Sequence, residues 1–150
     1  MLDAQYLLRE CYFTLLAGLT WNGKPIPVFD EYANVNESAP YVVIADMNER
    51  DLSDKSFYGQ VLTVTVDVVT EYGKTEPKTR YECDMIANEV LKRLLPGNPK
   101  GSGKPYQLDG FQCIRAKKVN GQSLSEMSDT TKVFRKVIQI DHTIKQLSYA

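Results

Sequence analysis

The 150-residue chain holds one histidine, His142, so all imidazole chemistry would rest on it. It stands beside Asp141 in a β-branched stretch with no serine or cysteine nucleophile close in sequence, which predicts a packing or solvent-facing residue and not a general base. Cys11, Cys83 and Cys113 are odd in number and far apart, with neither a C-x-x-C pair nor a disulfide framework among them. They are expected to be buried thiols acting as small apolar side chains. Asp46, Asp51 and Asp54 carry charge suited to a hard cation, but the glycine turn and distal glutamate of a calcium loop are missing. Residues 97–104 (GNPKGSGK) have the composition of a phosphate loop in the wrong context. They follow a helical pattern and run into Pro105, whereas a phosphate loop follows a strand and opens a helix. A surface loop is expected there, its lysines with Lys117 and Lys118 offering only a minor contact to nucleic-acid phosphates. No catalytic residue, cofactor or metal is expected.

The elements that would position these residues follow from periodicity. Leu7, Leu8, Cys11, Tyr12, Leu15, Leu16 and Leu19 recur one turn apart, predicting an amphipathic helix with Asp3 as N-cap and Gly18 as its stop. A turn at 21–25 precedes a short edge strand over 26–29 and a polar loop to Ala39. Residues 41–47 form a β-branched run too short for an ordinary helix, hence a strand buried on both faces. Residues 48–58 are charged and end in Phe57 and Tyr58, a pattern expected of a protruding loop or hairpin tip. From 61 to 72 apolar residues alternate with Thr63, Thr65, Asp67 and Glu71. This predicts an edge-prone strand about twice the common length, which with 48–58 would make a projecting hairpin.

A second helix is expected from Thr75 or Glu76, with Pro77 in its first turn and Cys83, Ile86, Ala87, Val90, Leu91, Leu94 and Leu95 as its buried stripe, until Pro96-Gly97. Strands over 111–119 and 133–147, joined by Asn120-Gly121 and a serine-rich loop, complete the chain. The fold class is therefore α+β, one domain over residues 1–150: a mostly antiparallel sheet with two helices on a single face.

A 43% hydrophobic and 25% charged composition is that of a folding globular domain. No apolar run approaches the ~20 residues of a membrane span. The first residues lack signal-peptide character, so a cytoplasmic location is expected. The net charge of −1 hides an asymmetry: residues 1–99 carry nine cations against fifteen acids, and 100–150 nine cations against four acids. If those charges separate in space, copies of the chain could pack head to tail.

The layout resembles the tail-terminator, or tail-completion, family of long-tailed bacteriophages and prophages. The resemblance is carried by the first helix ending near Leu19, Ala39-Pro40-Tyr41-Val42-Val43-Ile44, the polar stretch 51–59, Thr63-Val64-Thr65-Val66-Asp67-Val68-Val69-Thr70, and the second helix to Leu95. It implies a non-catalytic subunit of a ring, commonly a hexamer, that caps the tail tube and joins it to the head. It further implies tail-tube and head-connector partners, DNA passing nearby without sequence recognition, and a place in the host cytoplasm during assembly and in the virion neck afterwards. Arg50, Asp51, Asp54, Lys55, Phe57 and Tyr58 are the expected subunit interface, because a loop too polar for a core yet ending in aromatics suits a contact surface. Two other readings remain: a different neck or head-tail connector protein, and a small-molecule-binding domain with Tyr41, Cys113 and His142 lining a pocket.

Overall fold

The computed structural model describes residues 2–34, 37–97 and 105–147. Its elements, in chain order, are α1 (Gln5–Leu16), β1 (Thr20–Trp21), β2 (Lys24–Pro25), β3 (Val28–Asp30), β4 (Tyr41–Asp51), β5 (Gly59–Gly73), α2 (Tyr81–Leu94), β6 (Gln107–Leu108), β7 (Phe111–Met127) and β8 (Thr131–Gln146). β1 and β2 form a small hairpin whose Asn22-Gly23 turn has positive φ at both residues, the conformation this pair adopts most readily. The other strands form one sheet in the order β3-β4-β5-β8-β7-β6, antiparallel except where β3 runs parallel to β4.

Both helices pack on one face of that sheet. Leu62, Val64, Val66 and Val68 of β5 and Ile138, Ile140 and Ile144 of β8 meet Leu8, Tyr12 and Leu16 of α1 and Cys83, Ile86, Val90 and Leu94 of α2 in a single core. Burying such side chains contributes about 1.5–3 kcal/mol each, so the helix stripes and the strand alternation cooperate in one core. The three cysteines are free; Cys83 and Cys113 are buried and Cys11 partly so. Arg93 joins the helices by donating to the carbonyls of Leu15 and Ala17 at the open C-terminal end of α1.

Several boundaries and one placement differ from expectation. The 61–72 strand is not an edge: β5 pairs with β4 on one side and β8 on the other, and nearly all of it is buried. Residues 48–51 belong to β4, leaving only 52–58 as loop, so the exposed hairpin arm is β7–β8 and not 48–72. The charges of 48–51 suggest a loop in the sequence because, among the described residues, no strand pairs with the outer side of β4 there. Asn120-Gly121 lies inside β7; a bulge at Val119 absorbs the irregularity, and the turn falls at Ser128, whose hydroxyl accepts the Thr131 amide proton at 3.0 Å. α2 starts at Tyr81 and not at Thr75 or Glu76, because Glu76 closes a turn by accepting the Gly73 amide proton. Asp3 does accept the Gln5 amide proton at 2.9 Å, one residue ahead of the N-cap position at Ala4.

His142 sits at the centre of the core with no exposed surface. Its Nδ1 lies 3.0 Å from the Leu62 carbonyl, which only accepts, so Nδ1 carries the proton. Nε2 then accepts from the Tyr12 hydroxyl at 2.9 Å, while Tyr106 packs edge-on against the ring and donates to the Leu94 carbonyl. Burial pushes the imidazole down to about 4 from its ordinary 6.5. The unfolded chain therefore takes up this proton first: the contribution of neutral His142 is complete above pH 6.5 and is lost as pH falls toward 4. Urea titrations should show wild type losing roughly 2–3 kcal/mol more than His142→Gln between pH 7.5 and 4.5. A pH-independent difference between the two proteins would contradict this placement of the proton.

Candidate assembly surface

The loop at 52–58 is held by its own polar groups. Asp54 accepts the amide protons of Ser56 and Phe57 at 2.7 and 3.1 Å, and Asp51 accepts that of Ser53 at 3.0 Å. Hydrogen bonds from Ser53 and Ser56 hold the carboxyls of Asp51 and Asp54, respectively, below the ordinary range. The Ser53 hydroxyl accepts the Gly59 amide proton at 3.1 Å, and Phe57 lies against the bare Cα of Gly59, where a Cβ would come within 2.7 Å of the ring. Residues 54–58 and 145–147 line a shallow concavity, and Lys145 sits over the Phe57 ring. Of the six residues expected at an interface, Asp51 and Asp54 staple the loop and Phe57 supports it. Arg50, Lys55 and Tyr58 are exposed, beside exposed Leu52 and Leu147.

The sheet face away from the helices carries a polar ladder. Asp67 on β5 pairs with Arg135 on β8, which also reaches Glu126 on β7 at 3.5 Å. Beside them Gln139 donates to the Thr65 hydroxyl, and the Thr63 hydroxyl donates to Asp141. These side chains cover β5 so well that Val61, Thr65, Asp67 and Val69 are buried without a helix above them. Tyr41 lies on this face, where burial raises its hydroxyl pKa. Cys113 and His142 face the helices, so the three residues of the alternative pocket are not brought together.

The two long margins of the sheet are open among the described residues. β3 covers β4 only at Val42, Val43 and Ile44, leaving 45–51, and β6 covers β7 only at Phe111 and Gln112, leaving 113–127. β7 is bulged between Cys113 and Arg115 and again between Lys118 and Asn120. The unpaired residues at those bulges are Ile114 and Val119, both about half exposed, at 53% and 47%. Neither was singled out from sequence. The signal was a phase slip, since buried Phe111 and Cys113 are two apart and buried Ala116 is three further on. Arg80 anchors this arm by donating to the carbonyls of Leu124 and Arg135 at 3.0 and 2.6 Å. The lysine-bearing segment 98–104 lies outside the described residues. Among those residues no helix is long and apolar enough to cross a membrane, and no cluster of three metal-ligating side chains occurs; Asp46 does not join Asp51 and Asp54 in one.

No family model matches the chain. A curated relative, the tail completion protein gp17 of Bacillus phage SPP1, is 30% identical over 105 residues, 70% of this chain and 67% of its own length. Among solved structures, a chain from the virion of a native gene transfer agent particle superposes with a TM-score of 0.60 at 14% identity, over 95% of this chain and 91% of that one. The second likeness concerns the fold.

The loop's order should depend on its carboxylate staple more than on the core. In hydrogen exchange, Asp54→Ala is expected to speed exchange at the Ser56 and Phe57 amides at least tenfold, while the thermal midpoint moves by only a few degrees. Unchanged exchange at those two amides would show that the staple does not hold the loop.

Proposed function

The chain belongs to the bacteriophage tail-completion protein family, and from that premise we propose that it is a structural subunit of a ring of six copies that caps the tail tube and joins it to the head. The observation that carries this reading is the 30% identity to a named tail completion protein across 70% of the chain. The molecule's surfaces are in keeping with it. An assembly subunit needs exposed contact features, and this one ties a polar loop at 52–58 with hydrogen bonds of its own and, among the described residues, leaves two strand margins open. In this reading Arg50, Lys55 and Tyr58, positioned by Asp51, Asp54 and Phe57, touch the neighbouring subunit or the tube end. The tail-tube protein and a head connector are the partners on the two sides of the ring. DNA traverses the lumen, where contact with Lys or Arg would be to phosphates and independent of sequence. The protein assembles in the host cytoplasm and ends in the virion neck.

The reading is tested on the purified chain with its cognate tail-tube subunits. Light scattering after size exclusion is expected to give about six times the mass of one chain, with negative-stain images showing rings and tubes whose ends carry one ring each. A strict monomer at high concentration and low salt, leaving tube ends bare, would contradict it. Binding to a head connector with no affinity for tubes would favour a different neck component.

A further inference from the structure

Register partners across the sheet fix where the two open margins stand relative to each other. Asn48 pairs with Thr63, Thr63 with Asp141, and Asp141 with Lys117. One row over, Arg50 pairs with Val61, Val61 with Thr143, and Thr143 with Arg115. The free stretch of β4 and residues 114–121 of β7 therefore lie at the same level on opposite sides of the molecule. They differ in charge. Residues 45–51 hold Asp46, Glu49 and Asp51 with Arg50, whereas 114–121 hold Arg115, Lys117 and Lys118 and no acid. Like charges on each margin oppose pairing it with its own copy, and the opposite signs favour pairing one margin with the other.

We propose that subunits join edge to edge, residues 114–121 of β7 in one copy adding to residues 45–51 of β4 in the next. This rests on the ring reading and specifies its contact. Three features support it beyond charge. The four long strands β4, β5, β8 and β7 alternate in direction, so rotation about an axis along the strands sets β7 of one copy antiparallel to β4 of the next. Because the two margins stand at one level, that rotation needs no rise along the axis, and a head-to-tail contact without rise closes into a ring instead of winding into a filament. The β7 bulges expose Ile114 and Val119 at this margin, supplying apolar anchors amid the cations.

Charge reversal with light scattering tests the contact. Lys117→Glu/Lys118→Glu and Asp46→Lys/Glu49→Lys are each expected to weaken self-association at least tenfold. Mixing them one to one should restore the wild-type mass, since a copy net acidic on both margins and a copy net basic on both can only alternate. Two measurements do not depend on those variants folding: wild-type association should weaken several-fold between 0.1 and about 0.5 M salt, and Val119→Thr, which keeps strand propensity, should weaken it several-fold. Reversed variants that assemble as wild type does, or folded variants that fail to recover on mixing, would overturn the edge contact while leaving the ring intact. Salt-insensitive wild-type assembly, or Val119→Thr associating as tightly as wild type, would also overturn it. A wild-type chain that is monomeric would remove both.

Discussion

β5 and β8 pair without a break from Gly59 opposite Lys145 to Gly73 opposite Thr131, and every other element takes its position from that pairing. The side-chain period of a strand is two, so a slip of one residue would carry Leu62, Val64, Val66, Ile138 and Ile140 to the polar face. It would also lift His142 away from Tyr12. The register is thus enforced from both sides of the sheet: by the apolar core beneath the helices, and by Asp67–Arg135, Thr65–Gln139 and Thr63–Asp141 on the face above. β4 and β7 then lie on the two outer sides of this pair, each with most of its outer margin unpaired among the described residues.

Much of this was legible in the residues. Helical spacing located both helices; of their expected stripes Leu8, Tyr12, Leu16, Leu19, Cys83, Ile86, Ala87, Val90 and Leu94 are buried, while Leu7, Cys11, Leu15, Leu91 and Leu95 pack at the margin of the core, partly buried. Alternation found β5. Its position in the sheet was not legible, since alternation reports which face a residue takes and says nothing of how many neighbours the strand has. The polar residues on its open face suggested an edge; they are instead partners of Arg135, Gln139 and Asp141, which stand some seventy residues further along the chain. Asn120-Gly121 misled for a related reason. The pair favours a turn locally, but continued pairing with β8 outweighed that preference once the Val119 bulge had absorbed one residue.

The candidate assembly surface was only half visible. The charged loop was noticed because its composition is unlike a core, and the structure shows that part of its charge serves the loop itself. The β7 margin passed unnoticed because Ile114 and Val119 read as ordinary strand residues until pairing places them at bulges. The charge asymmetry between the two parts of the chain has a local counterpart on the sheet: β4 precedes and β7 follows the change of sign, and the fold sets them at opposite margins.

In the proposed assembly, subunits join through the margins of the sheet that are open among the described residues. Hydrogen–deuterium exchange of the assembled against the dissociated protein tests it most directly. New protection is expected at amides of 45–51 and 114–121, with the β5–β8 core protected equally in both states. Protection appearing instead on the outer faces of α1 and α2, with both margins exchanging as before, would contradict it.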